Sequence, residues 1–309
     1  MPWLQLTVET SRENITNIEN CLIKAGAVSV TFQEYVPHGE QEKPILEPAL
    51  GKTPLWDSSR LTGLFDAGCN IDKINGLLAQ KMSHLPEFRW EQLEDKDWER
   101  EWMDNYHPIQ CAHNLWICPS WKTPPDPKAT NLLLDPGLAF GTGTHPTTFL
   151  CLQWLANQNF EDKHIIDYGC GSGILGIAAL LLGAKKVAGI DIDPQALTAT
   201  HENVIRNNLD KTQFPVYLPK AFEKLPNTST AKLENSNQAD IVIANILAGP
   251  LVELTQTLVA HLRVGGVICL SGILAEQAET VKQAYSDYIK FEVTAEKEEW
   301  VRLAGLRYQ

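Results

Sequence analysis

The densest chemical signal in the chain is the run Asp167-Tyr168-Gly169-Cys170-Gly171-Ser172-Gly173, set directly after an apolar stretch and directly before GILGIAALLLG. Glycines let a backbone turn sharply and pass close to a ligand. Gly171, Gly173 and Gly176 also satisfy GxGxxG, the fingerprint for a dinucleotide pyrophosphate, so two kinds of nucleoside cofactor fit the loop. Asp167 places negative charge where a pyrophosphate would bring more, and it suits the ammonium end of a methionine moiety, bound directly or indirectly. Asp191 closes the next strand-like run, VAGID, where a carboxylate accepts both hydroxyls of a ribose. An NAD-linked oxidoreductase would use it in the same way. Asp193 reads as the cap of a helix opened by Pro194, and Gly176 as a point of close helix-to-sheet contact.

A second group of residues suits the transfer of a group between ligands. Asn245 ends the run ADIVIANIL, at the edge of a sheet where open α/β proteins bind ligands. Its amide is both donor and acceptor, able to hold the methionine end of a cofactor together with an incoming amine; the competing reading is a cap for the following helix. Pro146 favours a first helical turn, so Thr147 and Thr148 lie where backbone amides and a hydroxyl can face a carboxylate, with simple capping as the alternative. His145 reads as a cap or packing group in preference to a base. Amino-group methyltransferases of the Asn-Pro-Pro-aromatic type share this corner, but Ile246, Leu247 and Ala248 stand where they carry the prolines and the ring. No aromatic face is offered there to a flipped base, which disfavours nucleic acid and suits an aliphatic amine.

Strands must carry these groups to one edge. From 164 onward, strand-like and helix-like patterns alternate: HIIDYG and GILGIAALLLG, KVAGID and PQALTATHENVIRN, PVYL, ADIVIANIL and GPLVELTQTLVAHL, GGVICLSGI and AEQAETVKQAYSDY. That alternation predicts a parallel sheet wrapped by helices. FEVTAEKEEWVRLAGLRY breaks the pattern as two strand-like runs about a charged turn, a hairpin expected to add an antiparallel edge. The first hundred residues read as strand, helix, strand, strand, helix, strand. WLQLTVE alternates, Ser11 is placed to cap a helix carrying Ile15, Ile18, Leu22 and Ala25 on one face, and NIDKINGLLAQKM puts Ile71, Ile74 and Leu78 on another. The order βαββαβ is ferredoxin-like. DWEREWMDNY reads as a short charged helix in a connector, PPDP at 124 to 127 as a boundary, and PNTSTAKLENSNQ as a polar loop.

At 309 residues, two domains are the natural expectation. The opening MPWLQLTVETSREN has no basic leader followed by an apolar core, and no segment offers about 18 uninterrupted apolar residues, so a cytoplasmic protein is expected. Seven cysteines, odd in number and without a CxxC pair, argue against a disulfide framework or a structural zinc site. The net charge of −12 opposes stable binding of a phosphate backbone and favours a basic protein partner.

The glycine loop, with LDPGLAFGTGTHPTT before it and NILAGPL after it, resembles the protein methyltransferase A family, enzymes acting on protein eleven of the large ribosomal subunit. The resemblance runs along the whole chain, the small first domain and the DWEREW connector included. It implies a class I methyltransferase fold, with a seven-stranded doubly wound sheet and an antiparallel C-terminal hairpin, preceded by a small α+β ferredoxin-like domain. It also implies S-adenosylmethionine as donor and methylation of lysine ε-amines and the N-terminal α-amine. Carried over by residue, it assigns cofactor contacts to Thr148, Gly169, Asp191 and Asn245. With the residue-level reading, the candidate cofactor contacts become Thr148, Asp167, Gly169, Gly171, Asp191 and Asn245, and the candidate catalytic residues Asn245 and Thr147, with no metal ligand. The expected division is residues 1 to 93 for substrate recognition, 94 to 130 as connector and 131 to 309 for methyl transfer. The alternatives are a methyltransferase of another protein or of RNA, an NAD-binding oxidoreductase, and a binding module without chemistry.

Overall fold

The computed structural model describes residues 3–36, 45, 55–81, 88–93, 106–135, 143–225 and 238–309. It divides into two units, Met1–Met103 and Asp104–Gln309. In the first, β1 (Trp3–Ser11), α1 (Ile15–Lys24), β2 (Ser29–Glu34), β3 (Ser58–Asp66), α2 (Ile71–Lys81) and β4 (Phe88–Leu93) follow one another. The sheet order is β2-β3-β1-β4 with every neighbour antiparallel, the ferredoxin-like arrangement expected from the element order. Alternation explains the core: Leu6 and Val8 of β1 and Leu61 and Phe65 of β3 point inward onto Ile15, Ile18 and Leu22 of α1 and Ile74 and Leu78 of α2. Ser11 does not cap α1 as expected. A 3₁₀ turn over Arg12–Asn14 intervenes, and the Ser11 hydroxyl accepts a hydrogen bond from the Asn14 amide at 3.4 Å instead.

The second unit opens with a three-stranded sheet of β5 (Ile109–Ala112), β6 (Leu115–Cys118) and β7 (Thr130–Leu133). Cys111, Leu115, Ile117 and Leu132 bury into the same core as Ile165 and Leu175, so this part of the stretch read as a connector is built into the second unit. DWEREWMDN and most of the polar loop, 226–237, lie outside the described residues.

There follow α3 (Pro146–Leu155), β8 (His164–Tyr168), α4 (Ile174–Leu181), β9 (Lys186–Ile190), α5 (Pro194–Arg206), β10 (Val216–Tyr217), α6 (Pro219–Glu223) and β11 (Ala239–Asn245). Then come α7 (Ala248–Glu253), α8 (Thr255–His261), β12 (Leu262–Leu274), α9 (Ala278–Tyr285), β13 (Ile289–Phe291), β14 (Ala295–Lys297) and β15 (Trp300–Arg307). The main sheet runs β10-β9-β8-β11-β12-β15-β13, with β14 paired to β15. Strands β8 to β12 are parallel, and β15 is antiparallel to both its sheet neighbours. Ile165 and Ile243 face one apolar core while Ile166, Val242 and Ala244 face the other, because both faces of a parallel sheet are covered.

Two local expectations change. The run GPLVELTQTLVAHL breaks at Leu254 into α7 and α8. The antiparallel strand of the C-terminal hairpin is interior, with β13 outside it at the sheet end. Val301, Leu303 and Ala304 are buried, and a strand so apolar on both faces belongs inside a sheet. Among the described residues no helix is long and apolar enough to cross a membrane.

Candidate active site

The strand order turns back between β8 and β11, and the loops leaving the carboxyl ends of these strands and of β9 form the site. The first is the glycine loop. Gly169, Gly171 and Gly173 all have positive φ, of 76°, 55° and 78°, a conformation that disfavours any side chain. A Cβ at Gly169 would stand 2.2 Å from Ile246 Cγ2, so the loop lies directly against the residue that follows Asn245. The Gly169 amide donates to the Ile190 carbonyl at 2.7 Å, tying the loop to the end of β9.

Asp191 is held at both oxygens by backbone. Gly171 N–H donates to Oδ2 at 2.8 Å and Asp193 N–H to Oδ1 at 3.0 Å. A carboxylate accepts about four hydrogen bonds, which leaves capacity for two hydroxyls of a ribose. Ile192, 82% exposed between the two aspartates, offers an apolar surface beside that carboxylate. Asp193 caps α5 by accepting from Gln195 N–H at 2.8 Å, as its spacing before Pro194 predicts. Gly176 is the contact point of α4: a Cβ there would meet Phe214 Cζ at 2.3 Å.

Asp167 is not brought to the surface of the cleft. It is 1% exposed and sits beneath the loop, where Oδ2 accepts from Gly176 N–H at 2.9 Å and Oδ1 is buried without a partner among the described residues. Burial pushes its carboxyl up to about 7, against the pull of the Gly176 amide and with a further push from Asp191. Asp167, expected to meet a ligand's ammonium directly or indirectly, is thus a buried acid under the glycine loop.

On the opposite side, α3 begins at Pro146 with His145 as N-cap. His145 Nδ1 lies 2.8 Å from Thr147 Oγ1 and accepts the Thr147 amide at 3.4 Å, while the ring meets Trp300 edge-on at 4.9 Å. Burial lowers the pKa of His145, and Glu298 opposes it. Thr148, buried, faces the other way and accepts from Asn245 Nδ2 at 3.3 Å, across 97 residues of sequence. Asn245 Oδ1 is buried and has no hydrogen-bond partner among the described residues. The structure thus joins Thr148 to Asn245, whereas the Thr147 hydroxyl, 1% exposed, is engaged in the helix cap. Helix phase separates the two: neighbouring residues point about 100° apart.

Two further residues escaped the sequence reading. Thr200 Oγ1 donates to the Gly171 carbonyl at 3.0 Å and Asn203 Nδ2 to the Ser172 carbonyl at 2.8 Å, both from the buried face of α5. The available signal was their spacing with Ala196 and Val204, which puts polar groups on the inward stripe of the helix.

These groups fit S-adenosylmethionine better than a dinucleotide. The first-turn amide of α4 that would meet a pyrophosphate is already bonded to Asp167, and two carboxyl groups flank the loop. A nucleoside carrying a cationic amino acid adds no phosphate charge, and Asp191, Ile192, the glycines and the buried Asn245 oxygen can receive its parts.

The family described as ribosomal protein L11 methyltransferase (PrmA) matches residues 2–307. The ribosomal protein L11 methyltransferase of Cellvibrio japonicus is 56% identical over 308 residues, covering 99% of both chains. That of Teredinibacter turnerae is 55% identical over 309 residues, covering 99% of this chain and 97% of its own. Among solved structures, a ribosomal protein L11 methylase from Lactobacillus delbrueckii subsp. bulgaricus aligns at 32% identity and a TM-score of 0.56, over 66% of this chain and all of the other.

Proposed function

The chain belongs to the ribosomal protein L11 methyltransferase family, and from that premise we propose that it methylates amino groups of ribosomal protein L11, lysine ε-amines and the N-terminal α-amine, with S-adenosylmethionine as donor. The observation that carries the reading is the junction of Asn245 with Thr148, set against the glycine loop through Ile246. When bound, S-adenosylmethionine supplies an electrophilic methyl on a sulfonium.

The chain's own residues then have three tasks. Asp191 and the glycine loop bind the nucleoside, with the Asp191 carboxylate as acceptor for the ribose hydroxyls. Asn245, anchored through its amide nitrogen to Thr148, turns its carbonyl oxygen to an incoming N–H, so that the amine lone pair is directed at the methyl. Partial desolvation favours the neutral, nucleophilic amine over its ammonium form, because burial penalises the charged state. Residues 1 to 93 present the substrate, and residues 131 to 309 transfer the methyl. The net charge of −12 suits a basic ribosomal protein better than free nucleic acid, and the reaction belongs in the cytoplasm.

The test is mass spectrometry of L11 incubated with the enzyme and S-adenosylmethionine, in parallel with Asn245→Ala. The parent should add methyl groups to amines in steps of one methyl mass. Asn245→Ala should melt within a few degrees of the parent, yet transfer at least tenfold more slowly at saturating concentrations of both substrates. Unmodified L11 with the parent enzyme would refute the assignment, and a parental rate in a folded variant would remove Asn245 from the transfer step.

A further inference from the structure

The glycine loop is held from two sides, and only one of them faces the ligand. On the ligand side, Gly171 N–H is bonded to Asp191. Behind it lies α5. Thr200, fully buried, gives its hydroxyl to the Gly171 carbonyl, and Asn203, 5% exposed, gives its amide to the Ser172 carbonyl. Burying polar groups on the inward face of a helix costs free energy unless each is satisfied. Here they are satisfied by the loop, and the Asn203 oxygen accepts from Arg206, which pairs with Asp135 at 3.0 Å. Thr200 also fixes the end of the loop by contact, since a Cβ at Gly173 would meet its Cγ2 at 2.7 Å.

The effect on the loop follows from peptide geometry. In a trans peptide the carbonyl and the amide of the same plane point in opposite directions. Holding the Gly171 carbonyl toward α5 therefore directs the Ser172 N–H away from α5, and the Asn203 bond fixes the next plane. Glycines at positive φ have the largest conformational freedom to lose. A loop containing three of them would be ordered at the expense of ligand affinity unless the protein orders it beforehand.

We propose that Thr200 and Asn203 are positioning residues of the cofactor site, setting affinity for S-adenosylmethionine by holding the Gly171 and Ser172 carbonyls from behind. The inference rests on the cofactor reading given above. Neither residue need touch the cofactor, and neither takes part in methyl transfer.

The experiment uses the full-length protein and two near-isosteric variants. Asn203→Asp keeps the oxygen that Arg206 binds but loses the donor to Ser172. Thr200→Val keeps the buried volume but loses the hydroxyl, and Thr200→Ser restores it. Titration calorimetry with S-adenosylmethionine should show Kd raised roughly tenfold in Asn203→Asp and in Thr200→Val, the size of one lost buried hydrogen bond, and near the parental value in Thr200→Ser. The same variants should raise KM for S-adenosylmethionine and leave kcat close to the parent. Without cofactor, hydrogen exchange of the peptide spanning Gly169–Gly173 should be faster in the two defective variants. Parental Kd and parental loop exchange in both, even with a lowered melting temperature, would overturn the inference by showing a purely structural role. Failure of the parent itself to bind S-adenosylmethionine would overturn the cofactor reading and this inference together.

Discussion

At the scale of single residues, the spacing of polar groups in sequence and their placement in space part company at Asp167 and at the two threonines. Asp167 stands first in the glycine motif and suits a ligand's ammonium, yet the loop folds over it, and burial is a property of the folded loop that spacing does not contain. Thr147 and Thr148 are adjacent, and only the phase of α3, set by the His145 cap, decides that Thr148 meets Asn245. Asn245 and Asp191 stand out in the sequence because each ends an apolar run, and the structure places each at the carboxyl end of its strand, where open α/β proteins bind ligands. Asp167 carries a consequence for stability. Its carboxyl rises from an ordinary 3.8 to about 7 in the folded protein, so between those values the native state holds a proton that the unfolded chain has lost. Its contribution is therefore full below about pH 4, declines as pH rises through about 7, and is flat beyond. Asp167→Asn keeps an oxygen for the Gly176 amide and cannot ionise. Its melting temperature relative to the parent should rise between pH 5 and pH 8, by on the order of 5 °C in cofactor-free protein. A difference that stays constant over that range would show that Asp167 is ionised throughout.

Among the elements, those with strong periodicity were readable and those defined by their neighbours were not. The strand-helix alternation from 164 onward announced the parallel sheet, because a strand buried on both faces is apolar throughout and each crossover needs a helix. The place of β15 inside the sheet was not announced, since pairing across β12 and β13 is a long-range choice among strands of similar composition. Likewise, the stripe of α5 that carries Ala196 and Val204 places Thr200 and Asn203 inward, but what they meet there, the Gly171 and Ser172 carbonyls, depends on the fold of the glycine loop. The seating of α4 on the sheet is the most exacting of these contacts. Gly176 lies so close to Phe214 and Val187 that a methyl group would fall 2.3 Å from Phe214 Cζ and 3.0 Å from Val187 Cγ1. Gly176→Ala gains helix propensity of about 1 kcal/mol, but overpacking of a closed core costs about 1 to 3 kcal/mol. The second effect should win because Phe214 is fully buried and has no space to retreat. Denaturant unfolding should show a net loss of stability, partly recovered in the double variant with Phe214→Leu. A variant as stable as the parent would mean that α4 is free to shift on the sheet.

For the whole molecule, the question is how the work divides between two units that each have a core of their own. The first is organised around Leu6, Ile18 and Phe65, and the second around the two faces of the seven-stranded path. Length makes two domains the natural expectation, whereas the start of the second unit is obscured in the sequence, because β5 and β6 are short strands whose membership depends on what they pack against. Every candidate group for the cofactor or for the transfer of methyl lies between Thr147 and Asn245, in the second unit. A chain beginning near residue 104 retains that unit's cores, the glycine loop, Asp191, and the junction of Asn245 with Thr148. It should therefore fold cooperatively and bind S-adenosylmethionine with an affinity within a few-fold of the full chain. If residues 1 to 93 present the protein substrate, as proposed above, methylation of intact L11 should fall by at least a hundredfold, on the order of the effective-concentration gain that a tethered recognition domain supplies. Free lysine or a short peptide, which needs no such presentation, should be methylated equally slowly by both forms. Calorimetry for the cofactor and mass spectrometry for the two kinds of substrate separate these outcomes. Full activity of the shortened chain on intact L11 would assign substrate recognition to the second unit, and loss of cofactor binding would mean that the second unit depends on the first for its fold.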